Sequence, residues 1–104
     1  MADVRNNSTD QRYEIVADGQ LAGFVDYRLD SEAITFIHAE TLPGHEGKGV
    51  ARQLVEFALA DARAQQLSVL PRCPYVRKVV ADKTSEYLDL VPRDARAAFG
   101  LPLD

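Results

Sequence analysis

The sequence is poor in the residues that cross-link a chain or anchor it in a membrane. Its 104 residues include one cysteine, one methionine and no tryptophan. A single cysteine cannot form an internal disulfide, which excludes a disulfide-stapled scaffold and leaves Cys73 as a free thiol in a reduced compartment. No apolar run approaches the roughly 20 residues of a membrane-spanning helix, and the polar N-terminus lacks the apolar centre of a signal peptide. We therefore expect a cytoplasmic protein without a membrane partner.

An excess of positive charge is also lacking. Twelve lysines and arginines stand against sixteen aspartates and glutamates, which gives a formal net charge of −4. Sequence-blind binding to DNA or RNA depends on neutralising phosphates, so no nucleic-acid partner is predicted, although one local basic pocket stays compatible with a small phosphorylated ligand. The hydrophobic fraction of 46% and the charged fraction of 27% are those of an ordinary globular protein, and the length allows one domain.

The first half of the chain predicts three antiparallel strands. Residues 1–11 are polar and are predicted to form a flexible tail. Alternating apolar residues predict strands over 13–16 and 21–29, joined through an Asp-Gly turn at 18–19. A third strand over 33–41 is apolar on both faces, which indicates a central position in the sheet.

The second half predicts helices separated by a strand. Apolar residues at helical spacing predict a long helix from Val50 to about Gln65, a strand follows over 67–70, and a shorter helix follows over 75–83. A short closing segment covers 85–91, and 93–99 fits another short helix.

These elements predict an α/β fold, a small mixed sheet with the long helix on one face. The first three strands are antiparallel, and the strand–helix–strand crossover makes the fourth strand parallel to the third in a right-handed connection. The predicted domain covers residues 12–91, between the N-terminal tail over 1–11 and a C-terminal tail over 92–104.

The loop between the third strand and the long helix is where an anion is most easily bound. The first N–H groups of a helix have no acceptor within it, and the helix dipole is positive there. Gly47 and Gly49 let the backbone approach a ligand, and Lys48 adds a positive charge. A P-loop is excluded because glycine follows Lys48 where Ser or Thr is needed, and a dinucleotide-binding turn is excluded because Arg52 stands where a small residue is needed. A plain strand-to-helix turn stays open as an alternative.

The segment 46–51 (Glu-Gly-Lys-Gly-Val-Ala) resembles the acetyl-CoA pyrophosphate loop of the GNAT superfamily of N-acetyltransferases, Arg/Gln-x-x-Gly-x-Gly/Ala. Gly49 and Ala51 occupy the two small positions, and Glu46 stands where the superfamily usually has Arg or Gln. Together with the strand that carries His38 and with a Pro-Arg-Cys-Pro-Tyr-Val turn at 71–76, this loop makes the chain resemble a small, truncated GNAT-like family over roughly residues 12–91.

The resemblance implies binding of acetyl-CoA as the acetyl donor. The pyrophosphate would lie on the backbone amides of the loop, and the pantetheine would run along the third strand, in a gap between it and the fourth. The residues that this assigns to the cofactor are Ala39, Thr41, Glu46, Gly47, Lys48, Gly49, Val50 and Ala51.

Cys73 is the first candidate for catalysis. Pro74 suits the first position of a helix because its missing N–H is not needed there, so Cys73 is predicted to be an N-cap. The helix dipole and the free N–H groups stabilise a thiolate at that position, and Arg72 and Arg77 add positive charge. A small buried filler is the alternative role. The resemblance favours catalysis, because the matching cysteine of the family lies near the CoA thiol.

His38, near the end of the third strand, is the candidate base. A neutral imidazole can take a proton from an attacking amine, and Glu40 shares its face of the strand and can orient it. A structural histidine is the alternative. Tyr75 and Tyr87 are weaker candidates for protonating the leaving thiolate, since buried tyrosines are mostly core residues. His45 is expected to be exposed to solvent, and the two histidines do not predict a metal site.

The leading hypothesis is an acetyl-CoA-dependent N-acetyltransferase of the GNAT type. A backbone amide at 39–41 would polarise the thioester carbonyl, His38 or Glu40 would act as base, and transfer to the amine would be direct or through an acetyl group on Cys73. The alternatives are a non-catalytic CoA- or acyl-CoA-binding module, favoured by Glu46 and by the absence of the opening helices and closing strands of full-length GNAT enzymes, and a plain interaction domain. The amine acceptor and the oligomeric state stay undetermined from sequence, and a monomer is compatible with it.

Overall fold

The computed structural model describes residues 2–104 and folds them around one five-stranded sheet. The strands are β1 Ala2–Asn7, β2 Arg12–Ala17, β3 Gln20–Leu29, β4 Ala33–Thr41 and β5 Ser68–Pro71. Their order across the sheet follows the chain. The first four strands are antiparallel to their neighbours, and β5 is parallel to β4. The predicted α/β fold with a mixed sheet is confirmed.

The remaining elements are helical and follow β4 and β5. The helices are α1 Val50–Ala64, α2 Pro74–Asp82 and α3 Thr84–Tyr87, followed by single 3-10 turns at Leu88–Leu90, Arg93–Ala95 and Ala97–Phe99. Over the described range, none of these helices has both the length and the apolarity needed to cross a membrane.

β1 corrects the prediction of a flexible N-terminal tail over 1–11. Residues 2–7 form an edge strand that pairs with β2 along its whole length, and the four-residue turn 8–11 joins the two strands; Met1 lies outside the described residues. The polar residues of β1 find partners on β2, because Arg5 Nε and Asn7 Nδ2 donate to the two carboxylate oxygens of Glu14 at 2.8 and 3.1 Å. These cross-strand bonds stabilise a strand that its composition did not indicate.

The predicted Asp-Gly turn is a two-residue hairpin loop. Asp18 and Gly19 both have positive φ, 52° and 75°, and Ala17 pairs with Gln20 directly beyond them. This is the backbone geometry that suits the twist of an antiparallel hairpin.

One face of the sheet carries the core. Tyr13 lies at its centre, with ring centroids 5.4 Å from Tyr27 and 6.3 Å from Phe36. The Tyr13 hydroxyl donates to the carboxylate of Asp61 on α1, which ties the helix to the sheet. Burial, followed by this bond, raises the pKa of Tyr13 well above its usual value.

The opposite face of the sheet is polar. Glu14 is only 2% exposed and also accepts a bond of 2.7 Å from Arg12 Nε. The Arg12 guanidinium lies 4.7 Å from the centre of the Phe24 ring. Burial alone would raise the pKa of Glu14, but the bonds from Asn7, Arg12 and Arg5 outweigh it and lower that pKa to about 2. The charged side chains on this face therefore pair with one another, and these contacts shield Glu14 from solvent.

The C-terminal residues do not form a detached tail over 92–104. Two of the 3-10 turns lie there, Leu101 is buried against the core, and Arg96 Nε donates to the Val91 carbonyl at 2.9 Å. The short helix proposed for 93–99 is replaced by these two turns.

Candidate functional site

β4 is paired on both edges in its first half and on one edge in its second half. On the β3 side the pairing continues to Thr41. On the β5 side it ends where Phe36 faces Pro71, after which the Cys73 N–H donates to the Phe36 carbonyl at 2.8 Å. Proline has no N–H to give to a ladder. Beyond Phe36 the strand therefore has one open edge.

The backbone groups of Ala39 and Thr41 face this open edge. The Leu42 N–H donates to the Ala22 carbonyl of β3 at 2.8 Å, and backbone groups alternate in direction along an antiparallel strand. The N–H and C=O groups of Ala39 and Thr41 consequently point away from β3. An amide chain placed beside them would find donors and acceptors as it would at any sheet edge.

A bulge in β4 lies where the two edges begin to differ. Tyr27 faces Phe36 and Asp26 faces His38, so Ile37 is an extra residue without a partner on β3. A bulge bends and twists its strand. The bulge lies directly after the last residue pair between β4 and β5, which is the point where these two strands begin to separate.

The loop before α1 presents free backbone donors. Gly47 and Gly49 have φ of 75° and 74°, and Gly49 is the N-cap of α1 with no side-chain cap. The first N–H to bond back into the helix is that of Gln53, which donates to the Gly49 carbonyl at 3.1 Å. Across residues 2–104 the N–H groups of Gly47 and of 49–52 meet no acceptor. A run of such donors at the positive end of a helix favours an anion.

A cavity of about 170 Å³ lies over these donors. It is bounded by β4, the loop, α1 and α2, and its lining includes Thr41, His45, Gly47, Gly49, Ala51 and Tyr75. We call it the cradle cavity. It brings Tyr75 of α2 together with residues of the segment from Thr41 to Arg52 and lies between the open edge of β4 and the free amides.

A larger depression of about 520 Å³ lies elsewhere, between α1 and α3. Its lining includes Arg63, Tyr87 and Asp89. The Arg63 guanidinium donates to both carboxylate oxygens of Asp89, at 2.8 and 3.0 Å. Its positive charge is therefore already paired with an acidic side chain of the same protein. Tyr87 belongs to this depression and is not part of the cradle cavity lining. Burial, followed by the charges of Glu56 and Glu86, raises the pKa of Tyr87.

The predicted cofactor residues fall into two groups. Thr41, Gly47, Gly49, Val50 and Ala51 line the cradle cavity. The others, Ala39, Glu46 and Lys48, are not among its lining residues, and Glu46 and Lys48 are exposed.

The Glu46 side chain is hydrogen-bonded to the backbone of its own loop. Its carboxylate accepts the Gly44 N–H at 2.8 Å, and its own N–H, followed by that of Gly44, lowers its pKa. The carboxylate is thereby held on amides that precede the free donors, and the amides from Gly47 onward are left open.

The expectation that His45 is exposed is wrong. Its residue surface is only 8% exposed, and it lines the cradle cavity. The turn at Pro43 and Gly44 explains the difference, because it lets the His45 N–H donate back to the Leu42 carbonyl at 3.1 Å and so folds the loop inward. His45 and Arg52 are the cavity residues that the sequence did not indicate, since nothing in the local pattern marks His45 as buried or the half-buried Arg52 as part of a cavity.

Cys73 is the N-cap of α2, as predicted, with extended φ and ψ of −67° and 124° and Pro74 behind it. It is free and only 2% exposed, and it belongs to the apolar core. Arg77 Nη2 donates to the Arg72 carbonyl at 3.3 Å. A thiol enclosed by apolar groups has the environment of an inert, structural cysteine.

His38 and Glu40 share a face of β4, as predicted. The alternation along the strand placed His38 with Ile34 and Phe36, which is wrong: the extra residue Ile37 shifts the alternation and puts His38 on the opposite, polar face. The distance from His38 Nε2 to Glu40 Oε1 is 3.6 Å, and the side chains are 58% and 51% exposed. The His38 ring centroid lies 6.3 Å from that of Phe24. Tyr75 is half-buried and contributes to the cradle cavity from α2. The site therefore has a row of free backbone N–H donors in the cradle cavity. It also has an imidazole–carboxylate pair on the opposite face of β4.

Comparison with known proteins identifies one family model, described as GCN5-related N-acetyl-transferase, that matches residues 12–90. The match covers more than half of the chain and includes the cradle cavity, β4 and Cys73.

Two relatives are similar over parts of the chain. Streptothricin acetyltransferase of Streptomyces lavendulae is 45% identical over 49 residues, which cover 45% of this chain and 26% of that enzyme. The solved structure of ribosomal-protein-alanine N-acetyltransferase from Brucella melitensis biovar Abortus 2308 has a TM-score of 0.55 at 24% identity, with 78% of this chain and 61% of that chain covered. The chain thus spans about a quarter of the first and three fifths of the second, and the second likeness is one of fold.

Proposed function

Because the chain belongs to the GCN5-related N-acetyltransferase family, we propose that it binds acetyl-CoA in the cradle cavity and transfers the acetyl group to an amine. The single observation that carries the proposal is the row of acceptor-free N–H groups at Gly47 and 49–52, beside a strand with one open edge. A diphosphate needs the first feature, and the two amide groups of a pantetheine chain suit the second.

The residues that would hold the donor follow from this arrangement. The amides from Gly47 to Ala51 would bind the diphosphate, and the outward backbone groups of Ala39 and Thr41 would bind the pantetheine arm. Acetyl-CoA supplies an activated acetyl thioester. An N–H of β4 beside the bulge would polarise the thioester carbonyl, which is the usual task of a backbone donor in acyl transfer.

His38 and Glu40 are the proposed proton acceptors for the attacking amine. Their spacing of 3.6 Å lets the carboxylate orient the imidazole. Tyr75 is the proposed source of the proton for the leaving thiolate, because it reaches the cradle cavity from α2.

Direct transfer to the amine agrees better with the position of Cys73 than an acetyl-cysteine route does. The thiol is only 2% exposed and lies in the apolar core. Intact-mass measurement of the protein during turnover tests this. Direct transfer predicts an unmodified chain, and a mass increase of one acetyl group that is lost in Cys73→Ala would support the covalent route instead.

A CoA- or acyl-CoA-binding module without turnover is the second candidate. The observation that favours it is the exposure of His38 and Glu40 on a polar face, with α1 on the opposite face of the sheet. An acceptor amine at that position would be in contact with few protein groups that could hold it.

Titration with acetyl-CoA, followed by backbone amide NMR, tests the binding step. We expect the largest shifts at Gly47 to Ala51 and at Ala39 and Thr41, with small shifts at the depression around Arg63. Release of free thiol in the presence of a panel of amines tests the transfer step. Binding without release above the buffer rate would favour the module, and an absence of shifts at the loop would overturn both candidates.

A further inference from the structure

A groove beside α2 contains a polar atom whose hydrogen-bonding capacity is not used. Of the buried side-chain nitrogen and oxygen atoms in residues 2–104, the Nε of Arg77 is the one without a hydrogen-bond partner. Buried polar atoms almost always have such a partner, and a donor that is neither hydrated nor bonded costs free energy. The Arg77 guanidinium therefore lies where acceptors are lacking.

The groove lies between α2 and the C-terminal segment, and we call it the Arg77 groove. Pro74, Arg77, Lys78 and Ala81 of α2 line one wall, and residues 99–101 form the other. Its volume is about 390 Å³. The described residues that line it all differ from those that line the cradle cavity. The Arg77 groove is therefore separate from the site proposed for acetyl-CoA.

The C-terminal wall of the Arg77 groove is apolar and is held by backbone hydrogen bonds. The N–H groups of Phe99 and Leu101 both donate to the Arg96 carbonyl, at 3.1 and 2.9 Å. Gly100 turns the chain between them with φ of 69°. Leu101 is thereby buried against the core, and Phe99 is half-buried. A wall that is ordered in advance reduces the cost of binding an apolar side chain.

The charges along the Arg77 groove have one sign. Among the described residues that line it, two are basic and none is acidic, in a chain whose formal net charge is −4. The Lys78 ammonium is paired with Asp82 at 3.0 Å. Arg77 forms no ion pair with residues 2–104, and its hydrogen bond from Nη2 to the Arg72 carbonyl is long, at 3.3 Å. The groove is therefore complementary in charge to an acidic ligand.

The Arg63 guanidinium, in the larger depression between α1 and α3, differs in this respect. It is paired with Asp89 and also donates to the Glu86 carbonyl. Of these two guanidinium groups, the one of Arg77 is able to pair with a carboxylate from outside the protein.

We propose that the Arg77 groove binds an acidic peptide segment of a partner protein. A glutamate or aspartate of that segment pairs with the Arg77 guanidinium, and a neighbouring apolar side chain packs against Phe99 and Leu101. A carboxylate can accept from Nε and one Nη group side by side. Rotation of the side chain away from the Arg72 carbonyl would thus give Nε the acceptor that it lacks. The inference goes beyond the proposed function and does not depend on it.

The probe for the test is the peptide Gly-Ser-Glu-Leu-Glu-Leu-Ser-Gly. One control peptide has glutamine in place of both glutamates, and another has serine in place of both leucines. NMR of the isotope-labelled chain observes the Arg77 Nε–H signal directly. We expect the probe to shift this signal and the amides of 99–101 while the amides of 47–51 stay in place. Each control peptide is expected to bind about tenfold more weakly.

Three variants assign the contact, with affinity measured by the anisotropy of a fluorescein-labelled probe. Arg77→Met removes the charge and keeps the length of the side chain, and it is expected to bind about tenfold more weakly. Arg28→Met is the matched control, because it makes the same change at an exposed arginine of β3 outside the groove lining. Its affinity should stay within about twofold of the native chain.

Ala81→Glu keeps the inference testable should Arg77→Met not fold, which circular dichroism melts establish. It places a carboxylate in the groove at an exposed position of α2. Because this charge repels the probe and competes for Arg77, affinity is expected to fall by more than about tenfold.

The outcomes decide both the site and its occupant. An unchanged Arg77 Nε–H signal at millimolar probe would overturn the inference, and so would equal binding of the glutamine peptide or an equal loss of affinity in Arg28→Met. Equal shifts with inorganic phosphate would show a general anion site instead. Shifts that depend on the concentration of the chain alone would show that a second copy occupies the groove. Acetyl-CoA binding is measured separately, so its failure would overturn the proposed function and leave this inference in place.

Discussion

The two edges of β4 differ although one stretch of backbone forms both. Toward β3, hydrogen-bonded pairing continues to Thr41, and the close approach of Gly23 to the Glu40 carbonyl leaves no space for a side chain. Toward β5, pairing ends at Phe36 opposite a proline. The closed edge determines where the strand lies, and the open edge leaves polar groups that must be met by water or by a ligand. The comparison shows how one strand can be rigid enough to position a site and still have backbone groups free to bind.

The strongest test of the open edge of β4 is a substitution that introduces a negative charge into the cradle cavity. Ala51→Glu places a carboxylate among the free amides, where it fills the space and repels a diphosphate. We expect acetyl-CoA binding to weaken by more than about 100-fold, measured by calorimetry.

Gln53→Glu is the matched control for that variant. It adds the same charge to the same helix at an exposed position outside the cavity lining, and is expected to weaken binding by less than about threefold. Equal losses in both variants would mean that overall charge, and not the cradle cavity, determines affinity.

The part of the sheet beyond the closed edge is tested by the buried carboxylate of Glu14 on β2, whose partners lie on β1 and β2. Glu14→Gln removes the charge that Arg5, Arg12 and Asn7 hold, and is expected to lower the free energy of unfolding by about 2 kcal/mol at neutral pH. The folded-state pKa is depressed from 4.5 to about 2. The contribution of the charge is therefore present above about pH 4.5 and is lost as the pH falls toward 2.

Urea unfolding at neutral and acid pH measures this effect. The difference between the native chain and Glu14→Gln should shrink as the pH falls, whereas the exposed Asp3→Asn should show little difference at either pH. A difference that did not depend on pH would show that packing, and not charge, accounts for the loss.

Gly23→Ala tests the close contact on the closed edge. An added Cβ would lie 2.8 Å from the Glu40 carbonyl oxygen, which is backbone and cannot rotate away. We expect a loss of about 1.5 kcal/mol in unfolding free energy, read from urea unfolding. Ser31→Ala, in the exposed bend before β4, is the control and should change stability by less than about 0.5 kcal/mol. Full stability in Gly23→Ala would contradict a tightly closed edge.

The smallest effect is expected from Gly49→Ala. The position has φ of 74° with open space around it, so the added methyl group strains the backbone without a clash. We expect a loss of about 1 kcal/mol in stability and about fivefold weaker acetyl-CoA binding, because the amides around the N-cap shift. Gly100→Ala carries the same kind of strain, at φ of 69° and outside the lining of the cavity. It should lose similar stability and keep full affinity, and a similar loss of affinity in both would contradict the role of the loop.

Much of the site could be predicted because its signals are local. The bounds of β4 and the start of α1 at Val50 follow from alternation, from the Pro-Gly break and from the glycines before the helix, all of which lie within a few residues of the feature they determine. The N-cap position of Cys73 follows from the adjacent proline.

The remaining features depend on partners that are distant in the chain. β1 forms because Glu14 binds its polar residues, and the burial of His45 depends on how the loop lies against Tyr75 and β4. Neither relation appears in a local pattern. The burial of Cys73 has the same origin, since the packing of α2 against the sheet decides it.

The polar composition of β1 also has a consequence for the solution behaviour of the chain. Within the described residues, β1 is the outermost strand and pairs only with β2. Exposed charges such as Asp3 and Arg5 on an outer strand discourage a second molecule from adding its own strand there. Asparagine, aspartate and arginine, which made this segment look unsuited to a sheet, are thus the residues that protect the sheet against intermolecular growth at that end.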